Sequence, residues 1–340
     1  MRNLRFADAI EDALAQAMAK DPRIIIFGED VHTFRLNLFV RFGEQRVRPT
    51  PISEAAFLGA AVGASMAGLR PVVEIMLVDF IGVAIDALLN HAAKIETFSG
   101  GTWRVPMVVR TSCGGGYGDA GQHEQTLWGW LAHIPGLTVV VPSNPADAGG
   151  LMLSALEHDG PVIYLEHKLL ADYWLDYMGK GGRETVHFDV PPEGASGAVP
   201  DVWSPVTIGK SAVRRAGKDI TMVSVGVGVH RALEAVAALS KKGVSAGVLD
   251  LRTVSPLDRE GVCEVVSQSG RLLVVDEDYR DFGLSGELAA IVLEAGIPVR
   301  YRRVCTEGTI PYARTAEDQI LPNTQRIIDA ALRLMEGEYT

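Results

Sequence analysis

Two patterns alternate along the first half of the chain: short β-branched runs and longer segments with apolar residues at helical spacing. The runs that predict strands cover residues 23–28, 71–77, 105–110, 137–141 and 161–165. The segments that predict helices cover residues 7–20, 54–68, 81–98 and 146–158. This alternation is typical of a parallel sheet that carries helices on both faces.

The same alternation returns in the second half. Strands are predicted over 219–229, 246–251, 271–276 and 298–304, and helices over 230–242, 260–268, 286–295 and 323–335. The segment between the halves is rich in glycine and proline and lacks apolar periodicity, as irregular linkers do. We therefore predict an α/β protein with two doubly wound domains, residues 1–175 and 207–340, joined by an irregular linker over 176–206.

Composition excludes several classes of protein. The 340 residues are 47% hydrophobic and 22% charged, enough apolar material for two packed cores. The net charge is −10 and no long basic run occurs, which argues against a nucleic-acid surface. Three distant cysteines do not make a disulfide framework. Acidic residues interrupt both the N-terminal segment and the longest apolar segment, so we expect a cytoplasmic chain without a membrane span.

The first candidate for chemistry is Glu54, which begins a helix made almost wholly of small and apolar residues. A structural explanation is helix capping, with Ser53 at the N-cap and an acid in the first turn. A functional explanation comes from the spacing of Gly59, Gly63 and Ala67, which lets another backbone approach closely. In a water-poor interface the pKa of Glu54 would rise, and the carboxyl group could act as a general acid.

The second candidate is His123, which follows a loop with five glycines between residues 112 and 121. We interpret this as a loop that approaches a ligand at the carboxyl end of a strand, where open α/β sheets bind ligands. The alternative is a flexible surface loop with an incidental histidine. Met76 and Phe80 follow another predicted strand; they could stack on a flat ring, although such side chains usually belong to a core.

Several segments, taken together, carry a family resemblance. They are FGEDV at 27–31, PISE at 51–54, MAGLRPVVE at 66–74, QHEQ at 122–125, IPGLTVVVP at 134–142, LDLRTVSPLD at 249–258 and IPYA at 310–313. In this order the chain resembles the beta subunit of the thiamine-diphosphate-dependent decarboxylating component of 2-oxo acid dehydrogenase complexes. The family includes pyruvate, branched-chain and acetoin enzymes.

The resemblance implies a transketolase-like pyrimidine-binding domain followed by a transketolase C-terminal domain. It implies a heterotetramer of two alpha and two beta subunits, with the cofactor between them and acyl transfer to the lipoyl group of an acyltransferase component. Glu54 would bind the aminopyrimidine ring and promote its activation. Phe80 would pack on that ring, with Met76 and Ile52 beside it. His123 would line the channel where the 2-oxo acid and the lipoyl arm react, and an imidazole suits proton transfer there.

The resemblance also bears on metal ions. It implies a potassium ion held by the backbone carbonyls of Met107, Ala155, Leu156, His158 and Gly160. Family members bind the diphosphate and Mg²⁺ through a Gly-Asp-Gly motif, and this chain contains no such tripeptide. We therefore expect a separate alpha subunit to hold the magnesium ion.

Two departures leave the function partly open. Glu124 stands beside His123 where many relatives have serine, and we expect its charge to raise the histidine pKa or to disfavour an anionic substrate. The segment 171–203 is long and carries Tyr173, Trp174 and Tyr177, a candidate contact for the alpha subunit or the lipoyl domain. The substrate is not fixed by these residues. The alternatives are a non-catalytic assembly or regulatory subunit and a standalone transketolase-like transferase.

Overall fold

Parallel β-sheets form the framework in both halves of the chain. The computed structural model describes residues 1–171 and 188–337. Its strands are β1 Arg2–Arg5, β2 Ile24–Glu29, β3 Val47–Thr50, β4 Arg70–Leu77, β5 Val108–Cys113, β6 Thr138–Val140, β7 Val162–His167, β8 Ser196–Val199, β9 Ala212–Arg215, β10 Ile220–Ser224, β11 Ala246–Asp250, β12 Thr253–Ser255, β13 Arg271–Tyr279 and β14 Arg300–Thr306.

Helices cover the faces of these sheets. The α-helices are α1 Phe6–Lys20, α2 Val31–Phe34, α3 Leu36–Phe42, α4 Glu54–Met66, α5 Ile95–Phe98, α6 Trp128–Ala132, α7 Pro145–Glu157, α8 Pro192–Ala195, α9 Val227–Ser240, α10 Arg259–Ser269, α11 Leu284–Glu294, α12 Arg314–Ile320 and α13 Thr324–Glu336. None of the helices in the described part of the chain is long and apolar enough to cross a membrane.

The first half contributes six strands to a seven-stranded sheet in the order β12-β6-β7-β5-β4-β2-β3. All neighbouring pairs in it are parallel except β12 with β6. Strand β12 comes from the second half of the chain, so the two halves share this sheet. The second half forms a five-stranded sheet in the order β14-β13-β10-β11-β9, in which β9 is the antiparallel strand. The predicted α/β class is therefore confirmed.

The segment predicted as one helix over 81–98 differs from that expectation. It consists of a 3₁₀ helix over Val78–Ala84, a π-helix over Ala87–Ala92 and then the short α5. The buried residues Ile81, Ala84 and Leu88 give the helical spacing. Tighter and wider turns bury the same side chains, so apolar spacing does not distinguish among the three helix types.

The described part of the predicted linker is more regular than expected. It contains α8 and the strand β8, and β8 pairs antiparallel with the N-terminal strand β1, which the sequence analysis missed. Trp203 is buried, and its indole N–H donates to Asp12 at 2.7 Å. This part of the linker thus packs on the first half. Tyr173, Trp174 and Tyr177 lie outside the described residues.

Three charged side chains lie on neighbouring strands of the first sheet, and a fourth, Arg35, reaches them from between α2 and α3. Arg110 of β5 donates to Glu166 of β7 and, at 3.3 Å, to Glu74 of β4, which also accepts from Arg35 at 2.7 Å. Burial raises the pKa of Glu74, but the facing Arg35 and Arg110 outweigh burial and hold this pKa below its ordinary value. Each buried charge therefore depends on its partners.

We predict that Arg110→Met destabilises the protein by about 3–5 kcal/mol, because it leaves buried carboxylates without their cation. Urea unfolding measures this change. Arg104→Met is the matched control, since Arg104 pairs with Asp159 at the surface, and a surface pair contributes about 0–1 kcal/mol. Equal effects of the two substitutions would contradict the prediction.

Candidate functional site

The residues predicted for cofactor binding follow neighbouring strands of the first sheet. Ile52 and Glu54 come after β3, Phe80 comes after β4, and the loop that leads to His123 comes after β5. These strands run parallel through β2, so their carboxyl ends lie at one edge of the sheet. Met76 lies within β4, close to the same edge, and is half-buried among core residues.

Glu54 is the first residue of α4 and is half-buried. The side chain of Ser53 makes no capping hydrogen bond, so the capping explanation retains only the favourable position of an acid in the first turn. Within the part of the chain that the structure describes, the Glu54 carboxylate has no hydrogen-bond or ion-pair partner. Burial, together with the charges of Asp30 and Glu54, raises the pKa of nearby Glu29 at the end of β2.

Helix α4 has one buried face and one open face. Phe57, Leu58 and Val62 pack into the core, whereas small residues face outward. The exposed small residues are Ala55, Ala56, Gly59, Ala60 and Gly63. A Cβ atom added at Gly59 or Gly63 would meet no atom within 4 Å. This outer face of α4, which begins at Glu54, is therefore open to a closely approaching backbone.

Phe80 and His123 are brought together. Their rings meet edge to face with centroids 5.9 Å apart and an interplanar angle of 82°. The imidazole Nδ1 lies 3.2 Å from the carbonyl oxygen of Asp119. A carbonyl only accepts, so Nδ1 carries the hydrogen, and Nε2 of the neutral ring is left to exchange protons. Ile52 is 73% exposed, so this edge of the sheet is open to solvent on the side where Ile52 lies.

The glycine loop between residues 112 and 121 does not serve the role expected of it, which was to approach a ligand. Gly114 and Gly116 have φ of 95° and 103°, and a Cβ atom would lie 2.0 Å from His167 Nε2 and 2.7 Å from Leu169 Cδ1, respectively. Residues 111–119 are all buried. The glycines therefore allow close packing against the segment that ends β7, and the interpretation of a ligand-binding loop is corrected on this point.

Buried carboxylates bind the N–H groups of this loop. Gly115 donates to Glu277 at 2.7 Å, Gly118 donates to Glu317 at 3.1 Å, and Tyr117 donates to Glu124 at 2.8 Å. Glu277 lies near the end of β13 and Glu317 lies in α12, so the second half holds the loop. Neither residue is predicted from the sequence as part of the site. The signal was present in Asp-Glu-Asp at 276–278, three acids in succession at the end of an apolar strand.

The two acids that flank Glu277 hold helix α6. Asp276 accepts from the Trp128 indole at 2.9 Å, and Asp278 accepts from the Gly129 N–H at 2.7 Å. Burial, followed by the charge of Asp278, raises the pKa of Asp276 to about 7. The end of β13 is thus attached at two points to the half of the chain that carries His123.

Glu124 does not face the site beside His123. Its side chain is fully buried, and its Oε1 lies 3.9 Å from Lys168 Nζ. Burial, followed by interaction with Glu317, raises the pKa of Glu124 to about 9. The carboxyl group is directed into the protein, so the expectation that it repels an anionic substrate is not supported by the geometry.

The carbonyls predicted for potassium lie near the opposite edge of the sheet. Met107 precedes β5, and Ala155, Leu156, His158 and Gly160 precede β7. Arg70 Nη1 donates to the carbonyls of Leu156 and His158 at 2.9 and 3.0 Å. A guanidinium cation thus already binds two of the five oxygens. These five carbonyls, two of which bind Arg70, give no support of their own for a potassium ion beside it. Potassium stays a prediction.

Comparisons with known proteins agree with this geometry. The pyrimidine-binding domain of transketolase matches residues 2–172, and the transketolase C-terminal domain matches residues 209–327. The acetoin:2,6-dichlorophenolindophenol oxidoreductase subunit beta of Cupriavidus necator is 37% identical over 99% of this chain and 98% of its own length. The 2-oxoisovalerate dehydrogenase subunit beta of Bacillus subtilis is 37% identical over 98% of each chain.

The chain belongs to the family of beta subunits of thiamine-diphosphate-dependent 2-oxo acid dehydrogenases. Among solved structures, a split-gene transketolase described as an inactive beta4 tetramer matches with a TM-score of 0.77, 20% identity and 99% coverage of both chains. That likeness shows the fold alone. The resemblance noted in the sequence is confirmed, while the domain limits and the roles of single residues stay predictions.

We predict that Glu124→Gln gains stability relative to the natural chain as pH rises from 6 to 9. The folded pKa of Glu124 lies above its unfolded value. The folded state therefore binds more protons than the unfolded state over this range, and the natural chain loses up to about 1.4 kcal/mol per pH unit. Glutamine resembles the protonated carboxyl and does not titrate.

Urea unfolding at several pH values measures the difference between the two proteins. Glu157→Gln is the control, because Glu157 is exposed at the end of α7. A stability difference for Glu124→Gln that stays constant with pH would show that this carboxyl does not titrate in the range.

Proposed function

We propose that this chain forms one side of a thiamine-diphosphate site and, with an alpha subunit, decarboxylates a 2-oxo acid and transfers the acyl group to a lipoyl group. The observation that carries the proposal is Glu54. Its carboxylate is half-buried without a partner in the described chain and begins a helix whose outer face is made of alanine and glycine. Both features suit a carboxyl group that another chain covers.

The residues at this edge fit the aminopyrimidine end of the cofactor. Phe80 provides a ring, Ile52 an exposed apolar side chain, and Glu54 a carboxyl group for a ring nitrogen. The glycine loop is not the diphosphate site, because its N–H groups are bound to Glu124, Glu277 and Glu317. In the proposal the alpha subunit holds the diphosphate and Mg²⁺.

When bound, thiamine diphosphate supplies a nucleophilic carbon that allows the bond between the carbonyl carbon and the carboxylate of the substrate to break. The role of Glu54 is to hold a proton at the ring nitrogen. An alpha subunit on the outer face of α4 would remove water from the Glu54 carboxyl group, and removal of water favours the neutral, protonated form. Phe80 and Ile52 would orient the ring and exclude water.

His123 is placed to act on the substrate side. Its Nδ1–H is held by the Asp119 carbonyl, so Nε2 is the atom that accepts or donates a proton. Acyl transfer breaks the disulfide of the lipoyl group: one sulfur forms the thioester, and the other is reduced to a thiol and takes up a proton, which Nε2 can donate. We therefore assign His123 to acyl transfer more than to decarboxylation.

The family indicates the class of substrate but does not indicate which member of that class this chain uses. The two relatives are named for acetoin and for 2-oxoisovalerate, and each is 37% identical to this chain. Apolar pockets separate substrates that differ by one methylene by only about 1–3 kcal/mol. A panel of pyruvate, branched-chain 2-oxo acids and acetoin, assayed with the assembled alpha and beta chains, tests which compound is used.

The assembly experiment separates the proposal from its alternatives. The chain is assayed for thiamine-dependent turnover alone and after co-expression with a family alpha subunit that carries the Gly-Asp-Gly motif. We expect activity only in the assembly. Turnover by the chain alone would favour a standalone transferase, and an inactive but stable assembly would favour a non-catalytic assembly or regulatory subunit.

We predict that Glu54→Gln lowers decarboxylation in the assembly by at least about 100-fold, the effect expected of a group that acts in general acid–base catalysis. Turnover with an artificial electron acceptor measures this loss. Glu157→Gln, at the opposite edge of the sheet, is the control and should retain full activity. Near-normal turnover of Glu54→Gln would remove Glu54 from the mechanism.

We predict that His123→Ala lowers lipoyl acylation more than decarboxylation, because Nε2 donates the proton that the lipoyl group takes up during acyl transfer. The two rates are measured separately, with a lipoyl domain and with an artificial acceptor. The expected loss in acylation is about 100-fold, within the usual range for a proton-transfer group. Equal and small losses in both rates would leave His123 a structural role only.

A further inference from the structure

Lys168 is a buried lysine that the proposed chemistry does not use. It follows β7 directly, and only 1% of its side chain is exposed. Lysine is seldom buried, because its ammonium group loses hydration unless partners replace it. Its partners therefore indicate what it does.

The contacts of Lys168 are with the loop that carries His123. Its Nζ donates to the carbonyl oxygen of His123 at 2.6 Å and lies 4.8 Å from the centroid of the Tyr117 ring. The backbone of Lys168 is tied to the same loop, because its N–H donates to Cys113 at 2.9 Å and its carbonyl accepts from the Tyr117 hydroxyl at 3.1 Å. Side chain and backbone thus act on one segment.

The charged groups near Lys168 come from three elements. Glu124 is the nearest acid, at 3.9 Å, and Asp119, Asp79 and Glu317 act at longer range. Glu124 and Glu317 also bind N–H groups of the loop, whereas Lys168 binds a carbonyl. Acidic side chains therefore accept hydrogen bonds from N–H groups of the loop, and Lys168 donates to a carbonyl of the same segment.

We propose that Lys168 is the positioning residue for His123, holding the histidine backbone so that its imidazole stands against Phe80 with Nε2 free. This inference rests on the proposed function of His123. Lys168 binds the carbonyl of His123, the N–H of His123 donates to Ala120 at 3.0 Å, and the ring is held by the Asp119 carbonyl and the edge of Phe80. Without the contact from Lys168, the imidazole can move away from the Asp119 carbonyl and from Phe80.

Two variants separate positioning from folding. Lys168→Met alone leaves the partly buried carbonyl of His123 without its donor and is expected to destabilise the protein. The double variant Lys168→Met with Glu124→Gln removes both titratable groups and keeps an oxygen for the Tyr117 N–H. Its matched control is Glu124→Gln alone, in which Lys168 still binds the His123 carbonyl.

The first measurement needs no partner and no activity. Diethyl pyrocarbonate labelling of His123 in the purified chain is followed by peptide mass spectrometry, with exposed His91 as the internal reference. We expect the double variant to change the labelling rate of His123 by about 3- to 10-fold relative to Glu124→Gln, as loss of one hydrogen bond would. An unchanged rate at His123, or an equal change at His91, would overturn the proposal.

The second measurement uses the assembly with the alpha subunit. The double variant should lose about 10-fold or more in lipoyl acylation, as expected for a misplaced group, and much less in decarboxylation with an artificial acceptor. Equal losses in both rates would overturn the role in positioning. If the natural assembly is inactive while the labelling at His123 still changes, the proposed function fails and the contact between Lys168 and His123 stands.

Discussion

The structure depends on buried acids that bind the backbone of a glycine loop from the other half of the chain. Glu277 and Glu317 accept N–H groups that no sheet or helix satisfies, and the glycines give the room for this contact. A buried N–H without an acceptor is costly, so loop and acids require each other. His123 stands at the end of this loop, and its position is therefore a property of both halves together.

Much of the architecture was predictable because it rests on local patterns. The strands 71–77 and 161–165 and the helix 7–20 follow from apolar spacing, and the structure has elements there. The pairing of β1 with β8 and the π-helix over Ala87–Ala92 were missed. The first depends on a contact between residues almost two hundred positions apart, and the second has the same buried spacing as an α-helix.

The site was predictable to a different degree. Phe80 and His123 were chosen from sequence, and their ring contact agrees with a shared site. The direction of Glu124 was not predictable, because adjacent residues in a loop can point to opposite sides. The buried N–H of Tyr117 and the neighbouring Lys168 hold it inside the protein. Lys168 carried no signal at all, since a lysine after an apolar strand is usually solvated.

The two faces of α4 have different roles. Its buried side is specified by large residues such as Phe57 and Leu58, which fix it on the sheet. Its outer side holds small residues that pack against nothing in the described part of the chain. The alanine and glycine residues of the outer face thus say little about the fold of this chain. They indicate instead that another chain covers this face.

Strand β12 has a consequence for how the molecule can be divided. Although it belongs to the second half, it covers β6, the last strand on that side of the first sheet. A fragment cut at the linker would expose the unpaired backbone of β6, and such edges recruit foreign strands. The first half is therefore a domain by sequence family and by its core. A fragment that keeps the edge of its sheet paired, and so stays monodisperse, must also include residues 253–255.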